Sequence, residues 1–250
     1  MAAINLEKIK PWETKCNRFV CFFDILGFKE YVMRNSIETV QDCLSKLNKL
    51  LPDFYEKEES PYQKIYPTTF SDSFYIFTKS DEPGEFMYFT NFISYFMRNA
   101  LALQVPLKGG ISYGEIIVNK TQKVYCGQPI IDAYLLEEEL QYMGIVTHHS
   151  VERYINEKVS GTDREPYAKI WYKNINTNFR TGLREHLNID YTLTNEKSAI
   201  DNMKEIVLKR RLDTSGEPRK YIDNTLRVLS EFESENKKIE DFEYIPWLYS

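Results

Sequence analysis

The sequence predicts an α+β fold in which amphipathic helices pack on one face of a sheet. Three observations carry that expectation. Short apolar runs bounded by turn residues alternate with longer stretches of helical period, in the order strand, helix, hairpin, helix, hairpin, strand, helix, strand. Residues 18–26 (RFVCFFDIL) are apolar nearly throughout, as a buried strand would be. Aromatic residues are abundant, 15 Phe and 18 Tyr in 250 residues, enough to fill a sizeable core.

Taken in order, the first strand is followed by a helix that Ser36 is placed to cap. Ile37, Val40, Cys43, Leu44, Leu47 and Leu51 then fall at helical spacing until Pro52 disturbs it. Strands around 64–66 and 73–77 are expected to form a hairpin joined through Pro67, Thr68 and Thr69, with Asp72 near the bend. Beyond Pro83 and Gly84, residues Phe86, Phe89, Phe92, Ile93, Phe96, Met97 and Leu101 mark a second helix, whose aromatic face suits core packing.

Short strands at 107–113 and 115–119 flank Gly114, and a third near 123–126 ends at Gly127, which opens a helix over 128–140. A buried strand at 144–147, a short helix after Ser150 and a strand at 168–172 follow. After Asn174 the composition becomes helical and charged, with Ile206, Leu208, Tyr221, Ile222, Leu226 and Leu229 in two stretches separated by 213–216. The expected division is an N-terminal segment 1–16, an α+β domain 17–175 and a helical C-terminal appendage 176–250.

The balance of 32 Lys and Arg against 37 Asp and Glu, a net charge of −5, argues against a general binder of nucleic acid or anionic membranes. No run of 18 apolar residues exists and the start MAAINLEKIKPWE lacks a signal-peptide core, so a cytoplasmic protein is expected. Cys16, Cys21, Cys43 and Cys126 have no C-x-x-C spacing and only three His are present, which favours reduced, mostly buried thiols over structural zinc. The basic run Lys209, Arg210, Arg211 reads either as a solvated helix face or as a phosphate contact.

Asp24 interrupts the apolar first strand, and Asp72 lies at a bend between Phe70 and Phe74. A carboxylate in such surroundings needs a partner. For each alone an Arg or Lys partner, or an ordinary turn acid, is a sufficient account. If the first strand lies beside the hairpin, the two carboxylates converge, and a divalent cation becomes the alternative.

These residues resemble the class III nucleotidyl cyclases, and within them the bacterial pyrimidine cyclases of Pycsar anti-phage defence. The opening block F-x-D-I-x-G-F stands here as Phe22-Phe23-Asp24-Ile25-Leu26-Gly27-Phe28, and the second as Phe70-Ser71-Asp72-Ser73-Phe74. The third, R/K-x-G-I-x-x-G, is matched by Lys108 to Gly114, and the fourth, G-x-x-V-N-x-A-x-R-L-E, in part by Gly127 to Glu137. The resemblance implies a ferredoxin-like antiparallel sheet over residues 17–175. It also implies a homodimer with active sites at the interface, and two Mn²⁺ or Mg²⁺ ions per site held by Asp24, Asp72 and the Ile25 carbonyl. The backbone amides up to Phe28 and the Lys108 side chain would meet the substrate phosphates; for Lys108 a plain strand lysine is the other reading.

Departures from the pattern bear on substrate. The base-selecting Lys of purine cyclases, six residues before the second Asp, is replaced by Tyr66, and the second purine-selecting acid falls on Val124. Tyr66 is then either a reader of a smaller base or a core tyrosine. The family's Asn and Arg of the fourth block fall on Ile131 and Leu135, which leaves Gln128 and Asp132, one helical turn apart, as nearby polar candidates, with Arg98, Lys123 or the 209–211 run as sources of charge. The implied activity is conversion of UTP, or alternatively CTP, to the 3′,5′-cyclic monophosphate, a messenger for a separate cyclic-nucleotide-activated effector in anti-phage defence. A catalytically inactive nucleotide-binding or dimerisation module of the same fold is the competing reading.

Overall fold

A computed structural model describes residues 12–51, 64–163, 165, 171–193, 199–212 and 214–237. At its centre is β1 (Lys15–Ile25), paired antiparallel with β3 (Ser73–Thr78) on one side and β4 (Leu107–Asn119) on the other. The edge strand β2 (Ile65–Phe70) lies outside β3. Between these strands run the helices α1 (Phe28–Arg34), α2 (Ile37–Asn48) and α3 (Pro83–Ala102). The connection strand, helix, strand, strand, helix, strand with spatial order β2-β3-β1-β4 is the ferredoxin-like arrangement.

The sheet continues from β4 through β6 (Ile145–Thr147) to β8 (Gly182–Ile189) and β7 (Tyr172–Phe179), with β5 (Val124–Cys126) paired to the far end of β4. Helices α4 (Gln128–Glu139), α5 (His149–Tyr154, continued by a π-helical turn Ile155–Val159), α6 (Ala199–Leu212) and α7 (Glu217–Lys237) complete the described elements. None of the helices among the described residues is long and apolar enough to cross a membrane.

Local chemistry explains the main elements. The Ser36 hydroxyl accepts from the Thr39 backbone N–H at 3.3 Å, capping α2 as expected. In β1, alternate residues feed two cores: Phe19, Cys21, Phe23 and Ile25 face the large cluster under α2 and α3, while Val20 and Phe22 face a smaller one with Phe77, Ile116, Val118 and Ala133 of α4. Helix α3 buries its whole aromatic stripe, including Phe86, Phe89, Phe92 and Phe96.

Several expectations need correction. Helices cover both faces of the sheet, because α4 lies on the face opposite α3. The sheet is mixed, since β4 and β6 run parallel. Pro67, Thr68 and Thr69 belong to β2, opposite Ile76, Tyr75 and Phe74, and the turn is Ser71-Asp72 with Ser71 at φ 57°. An edge strand tolerates proline, and the two threonines favour extension. Residues 107–119 form one strand through Gly114.

The boundary at 175 falls inside β7, whose alternation of Ile175, Thr177 and Phe179 with three Asn residues is a half-buried strand. The helical appendage thus begins only at α6, after the β7–β8 hairpin has joined the sheet; residues 168–170 of the expected strand lie outside the described residues. Of the four cysteines only Cys21 is fully buried, and Cys126 is exposed.

Gly110 fixes how closely α4 approaches β4. A Cβ at that position would lie 2.4 Å from the Ala133 carbonyl oxygen and 3.2 Å from the Glu137 nitrogen, both rigid backbone. Gly110→Ala is therefore expected to cost about 3 kcal/mol by overpacking, seen as a lowered melting temperature in calorimetry. An unchanged melting temperature would mean that α4 is free to lift.

Candidate active site

Asp24 is the one acidic residue of β1, on its α4 face and directly opposite Lys108 of β4. The antiparallel register of β1 with β3 runs through Phe23 opposite Phe74, and its extension brings Asp72 level with Ile25. The two acids expected to converge are thus brought to one end of the sheet, close enough for the Asp72 charge to act on Asp24. Among the described residues neither has an ion-pair partner within 4 Å.

The electrostatics of Asp24 are unusual for a carboxyl. Burial first, then the negative charges of Glu137 and Asp72, push its pKa up from 3.8 to about 7, against the pull of Lys108 and of the Ile25 backbone N–H. A half-buried carboxyl crowded by other acids is stabilised in its charged form by a cation. Among the described residues no three His, Cys, Asp or Glu side chains gather to hold a metal. A divalent ion here would rest on Asp24, Asp72, a backbone oxygen such as that of Ile25 and the oxygens of a bound ligand, a donor set that suits Mg²⁺ or Mn²⁺.

The other expected residues are placed as follows. Phe28 begins α1 behind Gly27, which sits at φ 74°, and its ring is buried in the large core, so only its backbone can face a ligand. Lys108 is not presented to a phosphate: it is buried, and its ammonium donates to the Glu137 carbonyl at 2.9 Å. It also lies 2.9 Å from Glu137 Oε1, an ion-pair approach rather than an aligned hydrogen bond.

Tyr66 is half-buried on β2, with its hydroxyl 3.0 Å from that of Tyr125, Trp12 edge-on to its ring, and the Lys120 ammonium 4.7 Å from the ring centre. From Asp24 it is two strands across and four residues along, about 16 Å. Within one chain Tyr66 and Asp24 therefore do not touch each other.

On α4, Gln128 donates to Asp132 at 2.9 Å, and Asp132 is 4.0 Å from His148. Ile131 and Leu135 are half exposed, with Tyr134 between them. Arg98 donates to the Leu193 carbonyl, Lys209 pairs with Glu205 and Arg211 with Asp223, all on α3, α6 and α7, away from the Asp24 face. Glu137 is the residue that sequence reasoning left without a role. Its signal was an acid closing the run 133–136 (AYLL), on a helix whose neighbouring strand carries Lys108.

No family model and no curated protein matches the sequence. Solved structures similar to it include nucleotide cyclase domains. The adenylyl cyclase CyaB from P. aeruginosa is 13% identical with a TM-score of 0.48, over 73% of this chain and 96% of that one. The guanylyl cyclase domain of the RhoGC fusion protein from Blastocladiella emersonii is 16% identical with a TM-score of 0.46, over 68% of this chain and 97% of that one. A bacterial light-regulated adenylyl cyclase is 13% identical with a TM-score of 0.45, over 77% of this chain, which spans 57% of that one. Similarity at this level concerns the path of the chain and assigns it neither substrate nor chemistry.

Proposed function

We propose that the protein is a pyrimidine nucleotide cyclase that forms 3′,5′-cyclic UMP and pyrophosphate from UTP. The observation that carries this reading is the convergence of Asp24 and Asp72 at one sheet end, unpaired with any cation among the described residues, within the sequence blocks that resemble class III cyclases. In the reaction the ribose 3′-oxygen bonds to the α-phosphorus, its proton leaves to solvent, and the bond to the bridging oxygen breaks to release pyrophosphate. Two Mn²⁺ or Mg²⁺ ions, when bound, would acidify the 3′-hydroxyl and neutralise the phosphates.

Asp24, Asp72 and the Ile25 carbonyl would hold the cations, and the Gly27 and Phe28 amides would meet the triphosphate, the Leu26 N–H being already donated to the Pro106 carbonyl at 2.9 Å. Tyr66, carried by the partner of a homodimer, reads the base. Its hydroxyl is paired with that of Tyr125, and such a pair turns either way, so uracil is preferred over cytosine only narrowly and CTP is the alternative substrate. The product would act on a separate effector during phage infection, inside the cytoplasm.

Purified protein incubated with each of ATP, GTP, CTP and UTP in Mn²⁺ is expected to give cyclic UMP by mass spectrometry, absent from an Asp72→Ala control. Cyclic AMP or cyclic GMP would overturn the reading of Tyr66. A second reading, a catalytically inactive dimerisation module, is favoured by Ile131 and Leu135, which put exposed apolar surface on α4 where the family carries Asn and Arg. Silence with all four substrates alongside a stable dimer would favour it.

A further inference from the structure

We propose that Glu137 is a positioning residue: by holding the Lys108 ammonium against the last turn of α4, it keeps that cation from neutralising Asp24 and leaves the Asp24 carboxylate open to a divalent metal. The inference rests on the cation site described above. Lys108 and Asp24 are cross-strand neighbours on one face of the sheet, the distance at which opposite charges normally pair. They do not pair here.

The ammonium is instead drawn to the Glu137 carbonyl and carboxylate, each 2.9 Å away, with both side chains almost fully buried. Two features of the chain make this possible. The glycine at 110 lets α4 settle directly on β4, so that its last turn comes within reach of the Lys108 side chain. A helix C-terminus, with its outward carbonyls, is also a favourable end for a cation. Lys108 thus offsets the Glu137 charge, and Asp24 and Asp72 are left for the metal.

The test is the affinity of the full chain for Mn²⁺ alone, read from the electron paramagnetic resonance signal of free Mn²⁺. Wild type is expected to bind and Asp24→Asn to lose binding. Glu137→Gln removes the carboxylate charge that draws Lys108 away from Asp24, leaving only the backbone carbonyl to hold it, and is expected to weaken Mn²⁺ binding by about tenfold or more. The neutral, near-isosteric double variant Lys108→Met/Glu137→Gln removes the competing ammonium along with its anchor. Its affinity is expected within about threefold of wild type, a rescue that a merely structural role for Glu137 would not produce.

Unchanged affinity in Glu137→Gln, or equal weakening in the single and double variants, would overturn the proposal. Should Glu137→Gln fail to fold, the double variant decides alone: wild-type affinity supports the inference, and a tenfold loss defeats it. Wild type that binds no Mn²⁺ would defeat the cation site and the inference with it. The expected pattern of affinities without any cyclic nucleotide would instead defeat only the cyclase reading.

Discussion

Asp24→Asn is expected to lower cyclic-nucleotide formation by at least about 10³-fold, some 4 kcal/mol of transition-state stabilisation, and Asp72→Asn to do the same. Asparagine keeps the shape of each side chain and removes the charge that a cation needs. The fold should survive, because the charge on Asp24 opposes folding. Its carboxyl is pushed up to about 7 by burial, Glu137 and Asp72, from 3.8 for the unfolded chain. The native state therefore holds the proton more tightly, and the metal-free protein loses stability as pH rises between those two values and no further above them. In chelator at pH 8 Asp24→Asn should melt no lower than wild type, and a lower melting temperature would mean that Asp24 has an anchoring partner. Turnover within tenfold of wild type in either variant would sink the two-carboxylate site.

How much of this was legible in the sequence follows from the range of the forces involved. The apolar run through Asp24, the Ser36 cap and the aromatic stripe of α3 are local signals, and each produced its element. The β7–β8 hairpin was missed because its apolar face is interleaved with Asn174, Asn176 and Asn178, residues that discourage a strand in isolation and are accommodated by pairing with β8. The two acids could be expected to meet, since strand adjacency alone brings them together. The fate of Lys108 could not be anticipated from its motif. It depends on α4 descending onto Gly110, a contact between segments some 27 residues apart that no local pattern encodes. Tyr125, likewise, reaches Tyr66 only because β5 folds back along β4.

The separation of Tyr66 from Asp24, about 16 Å across the sheet, leads to a prediction with an effect nearly as large. If one site takes its carboxylates from one protomer and Tyr66 from its partner, an Asp24→Asn/Asp72→Asn chain and a Tyr66→Ala chain are each inactive as homodimers. Mixed and allowed to exchange, they form heterodimers in which one of the two sites carries both defects and the other carries none. With random pairing half the dimers are mixed and half of their sites intact, so about a quarter of wild-type activity should appear from two preparations that each show almost none. The exposed apolar residues Ile131, Tyr134 and Leu135 on α4 supply surface for such a contact on the same face as Asp24 and Tyr66. Recovery that stays at the level of the separate preparations, while native mass spectrometry shows the mixed dimer, would place the whole site within one chain. Tyr66 would then be a core tyrosine held by Trp12 and Tyr125, and the choice of base would have to come from residues nearer the Asp24 end of the sheet.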